Sequence, residues 1–104
     1  MLELMADYGC YPLWLRSGGE LRNVDPATLD ISPELRDALT GWAEEYDATL
    51  DTSDPVASGF VDGDAENAFY ERGDRLARWL AGEVGARFRV SYFDARTGGA
   101  RLVE

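Results

Sequence analysis

With 104 residues, 45% of them hydrophobic and 12% aromatic, the chain has the material for one modest core and not for two independent ones. It contains no histidine and no lysine, which removes the commonest general base, the commonest metal ligand and any Schiff-base amine, and its single cysteine excludes an intramolecular disulfide. The formal net charge of -10 repels nucleic-acid phosphate and anionic lipid, so DNA, RNA and membrane surfaces are not expected partners.

Residues 2 to 8, "LELMADY", alternate loosely, with Leu2, Leu4 and Ala6 opposite Glu3, Met5 and Asp7, and read as a short strand. The N-terminal stretch has no basic region followed by a long apolar run, and no window approaches the roughly 18 apolar residues of a membrane helix, so a cytoplasmic protein is expected. After a turn region at 9 to 12, "PLWLR" returns as a second strand, with Trp14 on one face and Leu13 and Leu15 on the other, and "SGGE" ends it. The next segment, "LRNVDPATLDI", has Asp25-Pro26 in its middle and no sustained period, which predicts a loop.

Ser32 then stands as an N-cap with Pro33 at the first helical position, where its missing N–H costs nothing. Leu35, Ala38, Leu39, Trp42, Tyr46 and Leu50 recur at spacings of three and four, predicting a helix over residues 33 to 49. A connection rich in Asp, Ser, Gly and Pro follows, and a second helix is expected to begin at Asp64 or Ala65, with acids at its N-terminus. Its apolar stripe is Ala65, Phe69, Gly73, Leu76, Leu80 and Val84, supported by Ala77, and Gly85 is placed as its C-cap. Gly41 and Gly73 sit in mid-helix against a cost of roughly 1 kcal/mol each, which either a close helix approach or a drift toward the solvent-facing side would explain.

"RFRVSYF" alternates Phe88, Val90 and Tyr92 against Arg87, Arg89 and Ser91, a half-buried strand, and "DARTGGARLVE" adds a turn at 97 to 99 and a returning strand at 101 to 103. The order ββααββ predicts a single α+β domain over residues 1 to 104: an antiparallel sheet of three to four strands with two helices on one face.

The charge is unevenly placed. Residues 25 to 66 hold twelve acids against Arg36 alone, a net of -11, so this one stretch accounts for the whole excess. Such a segment either keeps the protein soluble or steers a cationic partner inward. Its partner-binding candidates are Glu44, Glu45, Asp47, Asp51, Asp54 and Asp62, with Tyr11, Trp14 and Phe60 as candidate aromatic anchors.

Other constellations are weaker. Cys10, within "ADYGCYPLW", has no histidine to activate it and Asp7 as its nearest charge, and reads as packing. Asp51, Asp54, Asp62, Asp64 and Glu66 are hard oxygen donors, but Pro55 and "VASGFV" break the calcium-loop register, so no metal and no cofactor are expected. Arg72, Arg75, Arg78 and Trp79 lie outside the second stripe and suit an ordinary charged face with Glu71–Arg75 and Asp74–Arg78 pairs. A carboxylate-only hydrolase built on Asp7, Glu44, Glu45 and Asp47 would need acids that converge, which neighbours along a helix do not.

Three stretches, "ADYGCYPLW", "ISPELRDALTGWAEEYDATLD" and "SGF", resemble a group of small acidic proteins from high-GC actinobacteria. The resemblance spans nearly the whole chain and implies a bacterial, cytoplasmic protein, with no activity to carry over. Taken together, the residues predict a non-enzymatic, acidic protein-binding domain whose partner is a basic protein. An immunity protein that neutralises a nuclease-like toxin is the concrete case. A self-associating structural or regulatory module is the alternative, with monomer and homodimer both open.

Overall fold

The computed structural model describes residues 1–50, 59–60 and 62–103. The strands are β1 (Leu2–Leu4), β2 (Leu13–Ser17), β3 (Glu20–Val24), β4 (Val90–Asp94) and β5 (Gly99–Val103). A 3-10 turn at Pro26–Thr28 leads into the helices α1 (Pro33–Asp47) and α2 (Gly63–Val84), which separate the first three strands from the last two.

The sheet is five-stranded and mixed, in the order β3-β2-β1-β4-β5, and this corrects the expected antiparallel sheet of three to four strands. β1 pairs parallel with β4, while the other three pairings are antiparallel. One edge of β1 is already occupied by its hairpin partner β2. The chain returning from the helical layer completes the other edge, and the two helices supply the long crossover connection that a parallel neighbour needs.

The extra strand, β3, lies in the segment expected to be a loop. Gly18 and Gly19 both have positive φ (57° and 85°), and the pairing Ser17↔Glu20 makes them a two-residue hairpin turn of the kind that only residues tolerant of left-handed backbone form readily. β3 is an edge strand exposed along most of its length, so it carries no alternation to betray it.

Helix starts follow the sequence closely. Ser32 Oγ accepts the Leu35 N–H at 3.2 Å with Pro33 at the first position, and Asp62 accepts the Ala65 N–H at 2.8 Å, starting α2 slightly earlier than expected. Glu83, near the end of α2, accepts both the backbone N–H (2.6 Å) and the hydroxyl (2.7 Å) of Ser32, tying the end of one helix to the start of the other. α1 stops at Asp47, so Leu50, expected on its apolar stripe, is 40% exposed. Gly85 does follow α2, with right-handed backbone in place of the left-handed cap that glycine usually supplies.

The core joins Leu35, Leu39 and Trp42 of α1, Phe69, Leu76, Leu80 and Val84 of α2, and Leu2, Leu4, Leu13, Val90 and Tyr92 of the sheet. Trp42 stacks on Phe69 with ring centroids 4.5 Å apart and donates its indole N–H to the Phe69 carbonyl at 2.9 Å. The two mid-helix glycines part company here. A Cβ on Gly73 would strike the Tyr92 hydroxyl and Trp42, whereas one on Gly41 would meet nothing within 4 Å. Close approach accounts for Gly73 alone.

Candidate functional site

The connection from β1 to β2 is the stretch "ADYGCYPLW", and the structure builds it against the C-terminal half of α1. Gly9 turns the chain with φ at 70° and donates its N–H to the Asp47 carboxylate at 3.0 Å. Tyr8 stacks on Tyr46 of α1, ring centroids 4.5 Å apart, and its hydroxyl meets the Thr49 hydroxyl at 2.7 Å. Burial of Tyr46 and the neighbouring Tyr8, Asp7 and Glu66 push its phenol pKa up, so this ring stays neutral in the packed cluster.

On the other side, Asn23 of β3 clamps Tyr11. Its side chain accepts the Tyr11 N–H at 2.8 Å and donates to the Tyr11 carbonyl at 2.7 Å and the Leu13 carbonyl at 3.0 Å. A backbone held at both ends presents its side chain at little further entropic cost, and the Tyr11 side chain is 49% exposed.

Between this loop and α1 lies a cleft of about 510 Å³ whose wall carries Asp25, Glu44 and Asp47, with Tyr11, Cys10 and Thr40 beside them. Asp25 also caps the 3-10 turn by accepting the Ala27 N–H at 2.9 Å. Three carboxylates and an exposed phenol around one concavity present a negative, partly aromatic surface to a cationic side chain. Cys10 is half-buried, with Sγ 3.5 Å from the Tyr8 carbonyl, consistent with packing.

The acids expected to form one surface are distributed over several. Glu44 and Asp47 line the cleft. Glu45, one residue on and therefore about 100° around the helix, turns to α2 and pairs with Arg72. Asp62 caps α2, and Asp51 and Asp54 lie outside the described residues. Asp25, absent from the predicted set, joins the cleft because the turn after β3 carries it there.

The aromatic candidates separate as well. Tyr11 stands at the cleft. Trp14 is half-buried, with its indole N–H on the Met5 carbonyl at 3.1 Å, and the pairing Glu3↔Trp14 places it on the sheet face away from the helices. Phe60 is not an exposed anchor: it packs against the core, its ring 5.1 Å from Phe69 and 6.2 Å from Tyr46. A second groove, about 410 Å³, runs between α1 and α2 under Arg72, Arg75 and Trp79. Asp74 pairs with Arg78 at 3.2 Å and also with Arg101, whereas Glu71–Arg75 is absent from the ion pairs among the described residues.

No group of three or more metal-donor side chains converges among the described residues, and no described helix is long and apolar enough to cross a membrane. Of the candidate carboxylates for acid–base chemistry, Glu44 and Asp47 share the cleft, while Glu45 is turned away and held by Arg72.

A family model described as Serratia CdiI immunity protein-like matches residues 1–95 of the chain. No curated protein matches it.

Proposed function

Because this chain belongs to the Serratia CdiI immunity protein-like family, we propose that it is an immunity protein that neutralises a basic, nuclease-like toxin by docking it at the acidic cleft. The family match supports the immunity role, and the cleft of Asp25, Glu44 and Asp47 beside exposed Tyr11 is the observation that supports the mode. A toxin that acts on nucleic acid carries a cationic surface for phosphate, and a negative cleft competes for that surface directly. Steering by the -10 net charge makes capture fast and gives it a steep salt dependence. In this reading Tyr11 is the central anchor, held ready by Asn23, and the acids around it select a positively charged partner. The protein acts in the cytoplasm, without a cofactor and without catalysis of its own.

The test pairs the chain with a basic, nuclease-like toxin. Asp25→Asn, Glu44→Gln and Asp47→Asn remove charge while the amide oxygens still accept the Ala27 and Gly9 N–H bonds, so folding is retained. The triple variant is expected to protect toxin-expressing cells poorly and to associate with the toxin more slowly at low salt. Full protection and an unchanged association rate would refute docking at this cleft.

A further inference from the structure

Both described helices pack on one face of the sheet, and the other face has no described element over it. Alternation and register place Trp14, Leu21, Phe93 and Leu102 there, together with Glu3. None of these apolar residues belongs to the core or packs against it. Leu21 and Leu102, on the two edge strands, are each 41% exposed, with half-buried Trp14 and Phe93 between them.

Glu3 sits on the central strand of this face, almost completely buried, with Arg16 on its carboxylate at 3.3 and 3.2 Å and the Ser91 hydroxyl at 3.1 Å. Its charge is satisfied, so covering it leaves no unpaired ion behind. Apart from this neutralised pair, the strand positions of the face carry no charge.

We propose that this face is where two copies of the chain associate, sheet against sheet. Charge selects the occupant. Two molecules of net charge -10 repel one another over their acidic helical sides and meet least opposition where each is neutral and apolar. A basic partner is drawn instead to the opposite, acidic side. The strand order supplies self-complementarity: Trp14 and Leu21 lie on one side of β1, Phe93 and Leu102 on the other. A two-fold axis along β1 lays the first pair of one copy on the second pair of its mate, the isologous arrangement of a symmetric dimer, at the roughly 10 Å spacing of stacked sheets. Both acidic clefts then face outward.

Sedimentation velocity on the full chain over a concentration series, in low and high salt, tests this. A monomer–dimer equilibrium is expected that tightens as salt screens the mutual repulsion, the opposite of the salt response of toxin docking. Leu102→Arg and Leu21→Arg, both at exposed edge-strand positions, are expected to weaken the dimer at least about tenfold with circular dichroism unchanged. Glu44→Gln is expected to leave it intact. A monomer at every concentration and salt would overturn the proposal, as would a dimer that survives both arginine substitutions or one that salt dissociates. The toxin-protection assay reads the cleft independently, so failure of either proposal is recognisable by itself.

Discussion

Gly73→Ala tests the packing at the centre of the protein. A methyl there gains about 1 kcal/mol of helix propensity. Against this, the new Cβ would stand 2.6 Å from Trp42 Cζ2 and overlap the Tyr92 hydroxyl. Tyr92 is fully buried and Trp42 nearly so, so moving either ring disturbs the packing around it. Overpacking of this kind costs about 1–3 kcal/mol. Displacing Tyr92 also stretches the 2.7 Å hydrogen bond its hydroxyl donates to the Tyr70 carbonyl, and a buried hydroxyl left unpaired costs about 1–3 kcal/mol more. After the propensity gain is subtracted, the expected net loss is about 1–5 kcal/mol. Gly41→Ala is the control, because the same methyl meets nothing within 4 Å and only the propensity gain of about 1 kcal/mol remains. Urea unfolding followed by tryptophan fluorescence and circular dichroism should move the two midpoints in opposite directions at unchanged m. A Gly73→Ala protein as stable as its parent would refute the reasoning.

Three further outcomes are expected. If each cleft carboxylate acts on a toxin cation at about 6 Å in water-like dielectric, the triple amide variant loses about 2 kcal/mol of attraction, near thirtyfold in association at low salt and far less at high salt; stopped-flow binding measures it. The Arg96 side-chain hydrogen bonds hold the Asp94 carboxyl below the usual carboxylate range, so its stabilisation is present above about pH 4 and is lost as pH falls through the lowered value. Asp94→Asn should cost about 1.5 kcal/mol in urea unfolding at neutral pH, and the difference from the parent should close under acid. At the alkaline end, burial pushes the Tyr70 phenol from 10.0 up to about 12, so the folded state favours the neutral ring and loses stability as pH rises from 10 toward 12. Tyr70→Phe should flatten that decline in a thermal-unfolding series, and an identical slope in both proteins would count against the assignment.

Local signals in the sequence were enough for the helices. Ser32-Pro33 and the three-and-four spacing from Leu35 to Tyr46 identify α1, and the stripe from Phe69 to Val84 identifies α2, because caps and amphipathic periods are written within a few residues of where they act. The alternation of Val90 and Tyr92 likewise announces β4, and the clustering of acids between residues 25 and 66 is a property of composition. Strand pairing was not legible in this way. That β1 lies parallel to β4, and that Leu21 to Val24 complete an edge strand, depends on backbone hydrogen bonds between distant segments, to which an exposed edge contributes no hydrophobic pattern.

The site divides along the same line. Its negative sign was present in the chain, but its membership was decided by the fold. One residue along a helix turns a side chain by about 100°, which sends Glu44 to the cleft and Glu45 to Arg72, and the turn after β3 brings in Asp25 from outside either helix. Sequence by itself determined the two helices, four of the five strands and the charge; only the tertiary structure decided which acids share a surface and which sheet face no described element covers. Periodicity, capping and charge act over a few residues, whereas a surface is assembled from segments that only packing brings together.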